Sequence, residues 1–168
     1  MWVVVLASLT TLFWTSPTLA QRLKTTGTLG VGSGLSWGNA DGNATVTKRT
    51  PLFLEMGVRL VNDEKPKLVW SGALRAEIAG RTSVAVVPRV ELMRPVGSLV
   101  LHASAGTPVF LAPFTLVGAE TALAGSMDFG GASVYATLML DAFVFGTDLP
   151  HNSSLIMLNL MLGAFVDL

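Results

Sequence analysis

The chain has 168 residues, 51% hydrophobic and only 13% charged, with eleven basic and eleven acidic side chains and no cysteine. That length suits one domain, and the charged share is about half that of a soluble one. Zero net charge without a basic stretch excludes nucleic acid as a natural partner; the missing cysteines exclude disulfides, thiol catalysis and a lipoprotein anchor.

Residues 1–20, MWVVVLASLTTLFWTSPTLA, predict a signal-peptide helix. Trp2 to Trp14 form an apolar core too short to span stably, and Pro17 breaks it. Thr18-Leu19-Ala20 offers a small-residue cleavage site, although no Lys or Arg precedes the core. The remaining domain is then 21–168. Its apolar stretches are broken well before the roughly 18 residues that a spanning helix needs. A chain so apolar without such a helix points to alternating strands, because lipid accepts only helices and closed barrels.

A period of two recurs along the chain and predicts eight strands. The first, Thr28 to Trp37, sets Leu29, Val31, Leu35 and Trp37 against Gly30, Gly32, Gly34 and Ser36. Pro51 to Val61 sets Leu52, Leu54, Met56, Val58 and Leu60 against Phe53, Glu55, Gly57, Arg59 and Val61. Leu68 to Ala79 places Trp70, Leu74 and Ile78 opposite Ser71, Arg75 and Glu77. Val84 to Met93 places Val84, Val86, Val90 and Leu92 opposite Arg89 and Glu91. Ser98 to Gly106 sets Leu99, Leu101, Ala103 and Ala105 against His102 and Ser104. Phe114 to Ala124 alternates weakly, with Val117 and Ala119 opposite Gly118 and Glu120. Ser133 to Phe145 sets Val134, Leu138, Leu140 and Val144 against Tyr135, Thr137 and Asp141. The last, Ile156 to Leu168, alternates over its whole length and is long enough to cross a bilayer as a tilted strand.

The breaks NDEKPK, AGRT, RPVG, GSMDFGG and GTDLPHNS carry turn chemistry, with Pro95 expected to begin a tight turn. With the C-terminus on the periplasmic side, Trp37 to Thr50 is the longest expected outer loop, followed by GTPVFLAP and GTDLPHNS. The predicted fold is all-β: an eight-stranded antiparallel up-and-down transmembrane β-barrel.

A soluble up-and-down carrier barrel of the lipocalin kind would alternate in the same way with its faces reversed. The polar face decides between them. It is mostly Gly, Ala, Ser and Thr, punctuated by Glu55, Arg59, Arg75, Glu77, Arg89, Glu91, Glu120 and Asp141, with no lysine at a strand centre. Small residues with mixed charge suit a narrow lumen, where arginine and carboxylate form a network that satisfies itself. A plugged lumen follows. Trp37 and Trp70 have outward parity, whereas Phe143, Phe145 and Phe165 have lumen parity. Either a bulge shifts the register near the rims or these rings fill the bore.

In its last residues the chain resembles the closing strand of outer-membrane barrels. Gly163, Val166 and the terminal Leu168 match the pattern read by the barrel assembly machinery. Met161 takes the usual polar position and Leu168 replaces the usual terminal aromatic. By length and strand count, the domain is similar to the small eight-stranded OmpA/OmpX-like barrels. The resemblance implies a protein of the bacterial cell outer membrane, monomeric, with membrane lipids and the assembly machinery as partners and no single activity.

The candidate chemistry is His102-Ala103-Ser104 with Glu120 on the next strand, where a carboxylate could orient the imidazole. This looks faintly like the His-x-Ser of outer-membrane lipid A deacylases, although lumen parity turns both side chains away from lipid. The bland expectation is a lumen histidine bonded to Glu120 or to a backbone carbonyl. Asp148, His151 and Asn152 have no metal-ligand spacing, and no cofactor or metal is expected. The expected role is structural or in surface interaction, with a lipid-modifying hydrolase and a soluble carrier as alternatives.

Overall fold

A computed structural model describes residues 23–40, 44–50, 52–62, 67–79, 82–147, 149 and 153–168. The expected signal segment, the Asp148–His151–Asn152 group, most of the NDEKPK turn and half of AGRT and of GTDLPHNS lie outside them.

The described residues form one antiparallel sheet closed on itself. Its strands are β1 (Leu23–Ala40), β2 (Ala44–Arg49), β3 (Phe53–Asn62), β4 (Leu68–Glu77) and β5 (Ser83–Val96). Then come β6 (Leu99–Gly106), β7 (Val109–Ala112), β8 (Leu116–Asp128), β9 (Ala132–Gly146) and β10 (Ser154–Asp167). Ten segments make eight positions around the barrel. β2 and β3 both lie against β1, at its two ends, and β6 and β7 both lie between β5 and β8. Closure comes from β1 against β10, paired from Thr26↔Asp167 to Asn39↔Ser154. No edge is left on the described sheet, which is how a barrel satisfies its backbone without water.

Burial follows the alternation. On β8 Leu123 is 66% exposed, while its neighbour Ala122 is 7% exposed. Leu54, Met56, Leu74, Val86, Leu101 and Leu138 point outward, and Glu55, Arg75, Glu91, Thr137 and Asp141 point inward. The faces are therefore inverted relative to a water-soluble barrel, whose apolar side chains would line the bore. The carrier alternative does not fit.

Several boundaries differ from expectation. Trp37 to Thr50 is largely a hairpin, because β1 continues to Ala40 and β2 returns from Ala44. The expected loop GTPVFLAP contains β7; Pro108, without an N–H, separates it from β6, and the Thr107 amide donates to the Pro88 carbonyl at 3.1 Å. Pro95 lies within β5, and the turn is made by Gly97 and Ser98, with Gly97 at φ 63°. The expected GSMDFGG turn shrinks to its last three residues, since β8 runs on to Asp128. Gly130 and Gly131, at φ 78° and 93°, make that turn in a backbone region that suits glycine.

The two aromatic explanations both apply. The register shifts between Val117 and Gly118, which pair with Phe145 and Phe143, so Val144 is an extra residue on β9. The bulge turns Phe145 out, 71% exposed, while Phe143 is fully buried in the bore. Phe165, without a bulge, turns inward and stacks on Tyr135 with centroids 4.2 Å apart.

Candidate functional site

The interior is built in layers along the barrel axis. At the end away from the termini, Phe110, Leu116, Phe143 and Ala85 form an apolar cluster, with Phe110 and Phe143 edge to face at 5.6 Å. Below it lies the main charge network. Arg75 on β4 reaches Glu55 through Nε at 2.9 Å, Asp141 through Nη1 at 3.1 Å and Glu120 through Nη2 at 2.6 Å. Arg89 on β5 clamps Glu55 with Nη1 at 2.5 Å and Nη2 at 2.8 Å, and also donates to both oxygens of Glu120. Asn159 on β10 donates to Asp141 at 3.1 Å and accepts from Thr50 at 3.0 Å. Six strands thus contribute to one set of charge-assisted bonds. A planar guanidinium with five fixed donors can satisfy three carboxylates in this way, and an ammonium cannot.

The next layer is aromatic and thioether: Phe53, Tyr135, Met139 and Met161 pack together. Arg75 lies 5.0 Å from the Phe53 ring centroid and Arg59 4.1 Å from that of Phe165, so the rings carry cations on their faces. Glu77 sits apart at the end away from the termini, bonded to Ser83.

Towards the termini lies a second polar group. Arg59 donates to Glu91, and the same carboxylate oxygen lies 2.7 Å from His102 Nδ1. The other ring nitrogen, Nε2, lies 2.7 Å from Ser126 Oγ. All four are buried, with exposures of 5–8%. Above them is a cavity of about 50 Å³, lined in part by Ser71, Ser104 and Ala124. Below them is a wider one of about 240 Å³, lined by Arg59, Met93, Val100, His102, Ser126 and Phe165. It lies beside the Lys24–Asp167 ion pair at the rim.

All eight charged residues expected in the lumen face it, in two separate sets with Glu77 aside. The expected link between His102 and Glu120 is corrected: Glu120 is committed to Arg75 and Arg89, and Glu91 holds the imidazole. Ser104 shares the inward face with His102, but the hydroxyl on the imidazole is that of Ser126. Ser126 escaped the sequence because GSMDFGG reads as a turn. The available signal was parity: Ser126 is six residues from Glu120 and so shares its face once β8 is extended. Gly163, Val166 and Leu168 close the last strand, with Gly163 opposite Gly30, Val166 opposite Gly27 and Leu168 beside Gly27. Among the described residues, no group of three His, Cys, Asp or Glu could hold a metal ion.

No protein-family model matches the chain, and no curated protein matches its sequence. Solved structures do match. Neisserial surface protein A superposes with a TM-score of 0.57 at 8% identity, over 86% of this chain and 97% of that one. The fold is that of the small eight-stranded outer-membrane barrels. A second barrel, Ail, the attachment invasion locus protein of Yersinia pestis, matches at 11% identity over 86% of this chain and 99% of that one, with a TM-score of 0.42.

Proposed function

We propose that the chain is an integral protein of a bacterial outer membrane, monomeric, with a lumen closed by its own side chains and a structural or surface-interaction role. One observation carries the membrane reading. The outward face is a continuous apolar surface, with Leu74, Leu123, Leu138 and Leu160 each 48–66% exposed, whereas the charges of the strand centres are gathered inside. Exposed apolar area on this scale is not tolerated by a monomer in water and matches the lipid-facing band of a transmembrane barrel. The likeness in fold to Neisserial surface protein A supports the same location.

The closed lumen is supported by the stacked layers. Phe143 and Asp141 are fully buried, and Arg75 and Glu120 are 2–3% exposed, in a bore that eight strands leave just wide enough for side chains. A barrel without open edges needs no second copy to satisfy its backbone, which supports a monomer surrounded by lipid. The Gly163–Leu168 segment is the part offered to the assembly machinery.

Cell fractionation tests the location. The protein should stay with the outer membrane, require detergent for extraction and migrate differently on gels before and after boiling. Recovery in the soluble fraction without detergent would sink the proposal. Planar-bilayer recording tests the lumen: no steady current is expected, and ion-selective conductance from the wild-type chain would overturn the closed bore.

A further inference from the structure

We propose that Ser126, His102 and Glu91 form a nucleophilic triad that hydrolyses small carboxylic esters entering from the termini end of the barrel. The three residues come from adjacent strands, β8, β6 and β5, and stand in a row: Ser126 Oγ 2.7 Å from His102 Nε2, and His102 Nδ1 2.7 Å from Glu91 Oε1. A carboxylate on Nδ1 fixes the tautomer with its proton on that nitrogen. The Nε2 lone pair is then left to accept from the serine hydroxyl. Nucleophile, base and orienting group are thus each within hydrogen-bond reach of the next, the relationship that activates a serine.

Two further features separate this set from a merely satisfied polar cluster. Ser126 and His102 both line the 240 Å³ cavity, so a small acyl group could reach Oγ. That volume lies below the range usual for larger ligands, which restricts the substrate to a short ester. Arg59 lines the same cavity, held by Glu91 and by the face of Phe165 at 4.1 Å. Its Nη2 is taken by Glu91 and lies 3.4 Å from His102 Nδ1, while its buried Nε has no hydrogen-bond partner, so that N–H is the group Arg59 could turn to the oxyanion of a tetrahedral intermediate.

The steps balance without an outside reagent other than water. Ser126 Oγ forms a bond to the ester carbonyl carbon as its proton passes to His102 Nε2. The C–O bond to the alcohol breaks, and the alcohol leaves with that proton. Water, deprotonated by the same nitrogen, then attacks the acyl-serine; the acid departs and the hydroxyl is restored. Glu91 acts through His102 and is a positioning residue.

The test uses the full barrel in detergent, its folding checked by the gel shift on boiling. It is treated with an alkyl fluorophosphonate, with p-nitrophenyl butyrate as chromogenic substrate. The adduct is expected on the peptide carrying Ser126, with labelling lost in Ser126→Ala and kept in Ser104→Ala. His102→Ala should slow butyrate hydrolysis by about a hundred-fold or more. Glu91→Gln should lower kcat with little change in KM, and Glu91→Asp should recover part of the loss. A folded wild-type barrel that takes no label, or labelling that persists in Ser126→Ala, would overturn the triad. Mapping the adduct in the wild-type chain decides the matter even if a variant fails to fold.

Discussion

Gly30 and Gly163 face each other across the seam where the barrel closes, and the Tyr135 hydroxyl lies over both. A Cβ on Gly163 would stand 2.5 Å from the Tyr135 ring and would also collide with the Leu29 carbonyl oxygen. Backbone on one side and a packed ring on the other leave nothing that can give way. Gly163→Val is therefore expected to cost at least about 1–3 kcal/mol of stability. Gly72→Val, at a position with open space around it, should cost far less. Urea unfolding of both variants in micelles measures the difference.

Arg75 is the hub of the charge network: its loss takes the one ion-pair partner from Asp141 among the described residues and leaves Glu55 and Glu120 to Arg89 alone. Arg75→Met is expected to destabilise the barrel by about 3–5 kcal/mol, as when one partner of a buried pair is removed. Adding Glu120→Gln and Asp141→Asn to the same chain should restore part of that loss, because the uncompensated charges go with them. Equal instability in the single and triple variants would contradict the network.

Lipid contact predicts a depth profile for charge on the outer face. Leu138, mid-strand and paired with Leu123 and Leu160, lies far from either turn. Val96 lies beside the Gly97 turn. Leu138→Arg should cost about 2–4 kcal/mol in lipid vesicles and Val96→Arg about 0–1 kcal/mol. A flat profile would count against a bilayer around the barrel.

The apolar layer at the far end should behave as an ordinary core. Phe143 is fully buried against Phe110, and truncation to Ala is expected to cost about 3–5 kcal/mol. The neighbouring Phe145→Ala, outside the bore, should stay within about 0.5 kcal/mol. Chemical denaturation of the two variants separates them.

Face alternation was legible in the sequence because each strand separates two unlike environments, and Glu55, Arg75 and Asp141 lie where parity puts them. What parity cannot carry is register. The extra residue Val144 altered the direction of Phe145 without altering its spacing from Phe143. Likewise, His102 could be assigned to a face but not to a partner. Its neighbours Glu91 and Ser126 are diagonal, set by how β5, β6 and β8 slide against one another. Local chemistry also misled at Ser126 itself: Gly125 and Asp128 around it resemble a turn, yet continued pairing with β6 and β9 keeps them extended.

Lys24 and Asp167 meet at 2.7 Å although 143 positions apart in the chain. The first strand thus waits for the last before either has a second neighbour. Until β10 is made, the unfinished sheet has two raw edges and an oily exterior, a combination that invites sticking to other chains. Closure of the sheet consequently depends on β1 meeting β10. A holdase that shields the nascent polypeptide in transit would matter more to its yield than any intrinsic speed of folding.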